Sequence, residues 1–181
     1  MSSNRSIQVK DKSFSLFISA TEIDQTVAKV AAHIEHDLKG KIPLFIVVLN
    51  GAYMFAADLI RKIDFDCEIT FVRLSSYSGL ETTSKVREVI GLYENVADRD
   101  IVIIEDIIDT GISMGFFLNK LKDTSARSVS LATLLFKPDA FKKDYHIEYI
   151  GIKIPNEFIV GYGLDYDGLG RNYPDIYKIV E

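Results

Sequence analysis

The segment 101–113, IVIIEDIIDTGIS, carries three carboxylates in close succession, Glu105, Asp106 and Asp109. An apolar run leads into them, and Thr110, Gly111, Ile112 and Ser113 follow. Carboxylates at the carboxyl end of a buried strand can bind a divalent metal or a ribose diol, or cap the next helix. The segment Asp109–Ser113 leads into a helix, whose first backbone N–H groups attract anions. With the Thr110 and Ser113 hydroxyls, that turn suits a phosphate. Gly111 lets the backbone turn tightly and come close to a ligand. Acids and a phosphate cradle repel one another unless a metal or a sugar lies between them. A phosphorylated sugar satisfies both, with its phosphate in the turn and its hydroxyls on the acids. Helix capping by Asp109 and Thr110 is the plain alternative, but one cap suffices and three acids are present.

Elements on either side must position this segment. Ile23, Val27, Val30, Ala31, Ile34 and Leu38 recur at helical spacing in 21–40, with Thr21 to cap the start and Gly40 to close the end. LFIVVL (44–49) reads as a strand buried on both faces, 52–63 as a helix, and CEITFVRL (67–74) as a strand. SSYSGLETTSKV (75–86) is polar and rich in hydroxyls and reads as a mobile loop, with a possible strand, REVIGLYEN (87–95), beyond it. IVIIE (101–105) is the next buried strand, about 112–123 a helix, and SVSLATLLF (128–136) another strand. This alternation implies a parallel sheet with right-handed crossovers. EYIGIKI (148–154) is strand-like again. The Gly- and Tyr-rich 158–180 reads as a small irregular lobe over one end of the sheet.

Composition narrows the class. The 181 residues suit one domain, and 48% hydrophobic residues can fill its core. No apolar run reaches the roughly 18 residues needed to span a bilayer, and the N-terminus does not read as a secretory signal. The single cysteine, Cys67, excludes an internal disulfide; a reduced, cytoplasmic compartment is expected, with Cys67 buried and unreactive. A net charge of −5 argues against a general nucleic-acid binder. His33, His36 and His146 lack metal-ligand spacing and read as surface residues.

IVIIEDIIDTGIS resembles the diphosphate-sugar (PRPP) motif of the type I phosphoribosyltransferases. The adjacent Glu-Asp and the IIDTG after it resemble the hypoxanthine-guanine kind. LNGAYMFAADL (49–59), SSYSGLETTSKV (75–86), LLFKPDAF (134–141) and FIVGYGLDYDGLGRN (158–172) resemble that family too, in its order. The resemblance covers roughly residues 10–181. It implies an α/β fold: a central parallel twisted sheet flanked by helices, with a small hood from the C-terminal segment and the N-terminus. The expected division of this single domain is a core of about 20–140 and a hood of about 1–15 plus 145–181.

The implied reaction moves the 5-phosphoribosyl group from PRPP to a purine nitrogen and releases pyrophosphate, with Mg²⁺. By resemblance, Glu105 and Asp106 hold the ribose hydroxyls directly or through metal-bound water. Asp109 faces N7 of the purine as general acid or base, which suits a carboxylate within hydrogen-bond reach. Residues Thr110, Gly111, Ile112 and Ser113 hold the 5′-phosphate; Ile112 departs from the polar or basic residue that many relatives carry. Asn50 and Gly51 bind pyrophosphate through the backbone, with a cis Leu49–Asn50 peptide. Relatives often have Lys or Arg where this chain has Asn50. Lys137 donates to O6 of the purine, and an ammonium, having only donors, favours 6-oxopurines. Phe158 stacks on the purine, and Ile159 contributes backbone groups to its edge. Asp165 binds a second Mg²⁺ on the pyrophosphate side and borders the purine, and Arg171 contacts pyrophosphate. Ser76 and Tyr77 belong to a lid that excludes water. Tyr162, Tyr166 and Tyr173 could equally pack the lobe.

The expected partners are therefore small molecules (PRPP, hypoxanthine, guanine), with no nucleic acid and no membrane, and a homodimer or homotetramer. Two rivals remain at this level. One is a sensor of the same fold that controls RNA or a partner. The other is a transferase acting on xanthine, adenine or orotate.

Overall fold

The computed structural model describes residues 6–77 and 85–180, the side chains of 75–77 and 85–87 excepted. The elements in chain order are β1 (Ser6–Val9), β2 (Lys12–Ile18), α1 (Ala20–Leu38), β3 (Leu44–Leu49), α2 (Tyr53–Ile60), β4 (Glu68–Tyr77) and β5 (Lys85–Ile90). They continue with β6 (Asp100–Ile108), α3 (Ile112–Lys122), β7 (Ser128–Phe136), β8 (Tyr149–Lys153), β9 (Ile159–Val160) and β10 (Ile176–Ile179).

The central sheet has the order β5-β4-β3-β6-β7-β8. Every pairing in it is parallel except that of β4 with β5, so the sheet is mixed rather than wholly parallel. The reason is local: β4 and β5 are joined by a short return, whereas the other strands are joined by crossovers. Alternate residues of each inner strand meet opposite helix layers. Phe45, Val47, Val102 and Ile104 pack with residues of α1 and α2. Leu44, Ile46, Ile101 and Ile103 pack with Met114, Phe117 and Leu121 of α3. Two covered faces explain why LFIVVL and IVII (101–104) are apolar throughout.

Several boundaries move from their sequence-based places. Helix α1 begins one residue early, and its N-cap is Ser19 rather than Thr21; the Ser19 hydroxyl accepts from the Glu22 N–H. Gly40 does sit past its C-terminus, at φ 80°. β4 runs on to Tyr77, and Ser76 and Tyr77 pair with Val86 and Lys85, so both lie in a strand rather than in the expected loop. The middle of that loop, 78–84, lies outside the described residues. β6 also runs on, through Glu105 and Asp106 to Ile108. β8, expected with the hood, pairs with β7 in the central sheet.

The hood is a second, four-stranded sheet of order β1-β2-β10-β9. Its pairs are antiparallel and its core is Val9, Phe14, Val160 and Tyr177. The N-terminal strands thus clamp the C-terminal ones, as an N- and C-terminal hood requires. Asp175 ties the two parts together by accepting from the Ala20 N–H at the start of α1.

Candidate active site

Strand β3 leads through α2 to β4 on one side, while β6 lies on its other side and leads through α3 to β7. The chain therefore leaves β3 and β6 toward opposite faces, and a crevice opens beyond their carboxyl ends. The pairing of β3 with β6 ends at Val47↔Ile104. Beyond it β6 keeps only β7 as a neighbour, through Glu105↔Thr133 and Ile108↔Phe136. Glu105 and Asp106 thus sit inside a strand, not past its end, at the point where the two strands part. There the acids have lost β3 as a backbone neighbour.

Asp106 is buried and Glu105 half-buried. Burial pushes both carboxyls above their ordinary range, and the charge of Asp106 adds to the effect on Glu105. Asp106 accepts from the Ile107 N–H at 2.7 Å, and the nearby Arg171 charge works in the opposite direction to its burial. Gly51 lies directly against the Asp106 carboxylate, where a Cβ would collide with it. The Leu49–Asn50 peptide is cis, as the resemblance implied, and Asn50 is exposed.

The turn after β6 encloses a cavity of about 170 Å³ lined by residues 105–114. Gly111 is the N-cap of α3, in the left-handed region at φ 78°. A Cβ there would meet the Phe141 ring at 2.6 Å and the Tyr145 hydroxyl at 2.7 Å, so both conformation and neighbours demand glycine. Neither Asp109 nor Thr110 caps α3 with its side chain in the expected way; the nearest approach is Ile112 N–H to Thr110 Oγ1 at 3.5 Å. The helix start leaves its first-turn amides without intrahelical partners. Ile112 projects outward, 39% exposed.

Lys137 is 7% exposed, and its Nζ donates to Asp109 Oδ2 at 2.9 Å. It also reaches Asn156 Oδ1 at 3.4 Å. The two residues that the resemblance placed at the purine edge are thus one ion pair, beside the 110–113 turn. Phe158 is 46% exposed rather than ordinary core, with one edge against Phe14 and Tyr166. Ile159 is buried in β9, its backbone paired with Lys178. Asp165 is held at both oxygens: Oδ1 pairs with Arg171 Nη2 at 2.7 Å, and Oδ2 accepts from the Gly168 N–H at 2.7 Å.

Sequence reasoning missed the joint between hood and core. Arg171 Nη1 donates to the Gly163 carbonyl at 2.6 Å. Gly163, at φ 96°, lies so close to the Gly51 carbonyl that a Cβ would overlap it. Tyr162 is buried, and its hydroxyl donates to Asp58 of α2 at 2.5 Å. The chain of contacts Arg171–Gly163–Gly51–Asp106 therefore links hood and acids through backbone. The glycines of GYGLDY were the available signal, since left-handed positions and close approaches both call for glycine. Asn156 and Tyr145 gave no signal in the sequence. Tyr166 and Tyr173 pack the hood, Tyr166 with its hydroxyl on Asp11 and Tyr173 against Tyr177. The three histidines are exposed, and Cys67 is half-buried with its thiol pushed up by burial.

Residues 19–167 match the phosphoribosyl transferase domain. The chain belongs to the phosphoribosyltransferase family. The hypoxanthine-guanine phosphoribosyltransferase of Staphylococcus epidermidis is 39% identical over 162 residues, covering 89% of this chain and 90% of that protein. The crystal structure of a hypoxanthine-guanine phosphoribosyltransferase from Bacillus anthracis matches with a TM-score of 0.85 at 37% identity, over 96% of this chain and all of that one. A hypoxanthine phosphoribosyl transferase of Trypanosoma cruzi matches at TM-score 0.87 and 27% identity, over 96% of this chain and 95% of that one. As a phosphoribosyltransferase, the chain acts on small molecules. Among the described residues, no helix is long and apolar enough to cross a membrane.

Proposed function

We infer that this phosphoribosyltransferase transfers the 5-phosphoribosyl group of PRPP to hypoxanthine or guanine, giving IMP or GMP and pyrophosphate, a purine-salvage reaction. The observation that carries the choice of base is the pairing of buried Lys137 with the half-exposed Asp109, 2.9 Å apart beside the turn 110–113. An ammonium offers only donors, so it pairs with a 6-oxo group and repels a 6-amino group. Asp109 then sits where it can take the ring proton as the glycosidic bond forms. The first-turn amides of α3 and the Thr110 and Ser113 hydroxyls hold the 5′-phosphate. Ile112 contributes backbone only. The purine stacks on the exposed ring of Phe158, with Ile159 at its edge.

Glu105 and Asp106 take the ribose hydroxyls. Glu105 and Asp106, both raised by burial and Glu105 also by the charge of Asp106, offer adjacent carboxyl oxygens that would suit a hard divalent cation. Asp165, paired with Arg171 in this structure, offers a further carboxylate. Mg²⁺ held by these oxygens would supply charge neutralisation for the departing pyrophosphate. Arg171 and the backbone of Asn50 and Gly51 bind the same group. The chain works as one domain, core and hood together, in a cytoplasmic homodimer or homotetramer. Ser76 and Tyr77 stand at the mouth of the closing segment.

The test is direct. The protein is supplied with PRPP, Mg²⁺ and one of hypoxanthine, guanine, xanthine or adenine, and the nucleotide is identified by mass. IMP and GMP are expected and AMP is not. No product from any 6-oxopurine sinks the reading.

A further inference from the structure

A second cavity lies away from the acids. It has a volume of about 600 Å³ and runs along α3, between that helix and the segment Lys143–His146. That volume falls within the range of small-molecule sites, roughly 300–1,000 Å³. Its apolar side is built by Phe116, Leu118, Leu121, Leu131 and Tyr145. Its polar side carries Lys122, Arg127 and Lys143 together with Asp144 and Glu148. Arg127 is spent on Asp100 at 2.9 Å, and Glu148 accepts from the Leu131 N–H at 2.8 Å. Lys122 and Lys143 also line the cavity, and neither makes an ion pair with another described residue. Asp144 and Glu148 are the acids in the lining, and Lys122 and Lys143 are both solvent-exposed.

Two residues join this cavity to the turn after β6. Ile112 lines both cavities. Tyr145 lines the larger one, and its hydroxyl donates to the Gly111 carbonyl at 3.0 Å. Burial and the charge of Glu105 raise the Tyr145 phenol, so it remains a donor at neutral pH. Gly115, in the first turns of α3, has Tyr145 at 3.6 Å and Lys143 at 4.0 Å from where a Cβ would stand. An occupant that moves Tyr145 or Lys143 therefore moves a neighbour of the phosphate turn.

We propose that this cavity is a second ligand site, for a small aromatic anion (a carboxylate, sulfonate or phosphate ester), and that its occupancy is coupled to nucleotide binding through Tyr145 and Ile112. The aromatic body lies on Phe116 and Tyr145, and the anionic group meets Lys122 and Lys143. The coupling half rests on the reading of residues 110–113 as the 5′-phosphate turn; the binding half does not. Linkage makes the effect reciprocal: whatever factor the anion applies to nucleotide affinity, the nucleotide applies to the anion.

The probe is 8-anilino-1-naphthalenesulfonate, an aromatic monoanion whose fluorescence reports an apolar site. It is titrated into the whole protein alone and with saturating GMP. The expectation is saturable one-to-one binding that survives GMP. Lys122→Glu/Lys143→Glu should weaken it at least tenfold while the melting curve and the transfer rate stay as in the parent. Saturating dye should shift GMP affinity by a factor of about 5–150, the usual range of such couplings. Tyr145→Phe should bring that factor toward one while both ligands still bind. Complete displacement of dye by GMP, or indifference to the double charge reversal, overturns the site. A coupling factor of one in the parent protein overturns the link. Dye binding that responds to the charge reversal, in a protein that fails to bind GMP at all, supports the site and counts against the function reading instead.

Discussion

In the central sheet, β3 and β6 are buried on both faces because helices cover both, and the acids of β6 inherit a fixed register. In the hood, β1 and β2 are largely exposed or half-buried around a core of four buried side chains, and six residues between 161 and 170 adopt positive φ. One region is held by packing area and the other by turn chemistry and a few backbone contacts. The groups proposed for the ribose, the purine 6-oxo group and proton transfer (Glu105, Asp106, Lys137 and Asp109) stand on the packed region, as do Asn50 and Gly51, proposed for pyrophosphate. Phe158 and Ile159, proposed for the purine, and Asp165 and Arg171, proposed for Mg²⁺ and pyrophosphate, stand on the hood. A site divided in this way can keep its chemistry rigid while its grip adjusts.

The largest expected effect separates the two roles. Asp109→Asn should lower turnover about 10²–10⁴-fold, the usual worth of a positioned proton acceptor, with little change in the PRPP Michaelis constant. Arg171→Ala should act chiefly on that constant instead. Steady-state kinetics with varied PRPP measures both, and equal effects of the two variants on both parameters would erase the division.

Packing comes next. Phe45 in the core and Phe14 in the hood are both fully buried. Phe45→Ala should cost about 3–5 kcal/mol of global stability by denaturant unfolding. If the hood opens by itself, Phe14→Ala should instead speed amide exchange in β1, β2 and β10 with a smaller loss of global stability. Equal global losses would make the two sheets one cooperative unit.

Glycines sharpen the comparison further. Gly40 and Gly163 both have positive φ, but a Cβ at Gly40 meets nothing within 4 Å, whereas one at Gly163 overlaps the Gly51 carbonyl. Gly40→Ala should cost about 1–2 kcal/mol, the left-handed strain alone. Gly163→Ala should cost more and should also impair catalysis, because the backbone it displaces borders Asp106. Melting curves and activity read together decide this; a Gly163→Ala protein with full activity would unlink hood and acids.

The smallest effect concerns charge. A carboxyl raised in the folded state binds its proton more tightly folded than unfolded. It therefore subtracts stability as pH rises above the unfolded value, and the loss is complete once pH exceeds the folded value. Glu105→Gln removes this penalty. In the ligand-free protein it should raise the melting temperature more at pH 7.5 than at pH 4.5, by about 2–4 °C for each kcal/mol relieved. A pH-independent difference would mean that Glu105 is not held in its raised state.

Much of the core was legible because its signals are periodic. LFIVVL and SVSLATLLF gave β3 and β7 to the residue, since strands covered on both faces are predominantly apolar. Boundaries failed where polarity misled. Ser75–Tyr77 looks like loop, yet it extends β4 past the end of β3, with β5 as its pairing partner. The acids of β6 looked like a strand end for the same reason. Within the site, residue types pointed to a phosphorylated sugar, and the family resemblance named the roles. The contacts among residues far apart in sequence did not follow from either.

The sequence by itself determined the alternation of strands and helices, the acids followed by a glycine turn, and the family. These are local: each depends on side-chain period or on what a turn permits within a few residues. Tertiary structure decided that Lys137 meets Asp109, that Gly163 rests on Gly51 beside Asp106, and that Tyr145 bonds the phosphate turn. Those contacts arise where β3 and β6 part and the hood closes over them. Their geometry depends on strand order and on helices leaving opposite faces, which no stretch of chain encodes alone.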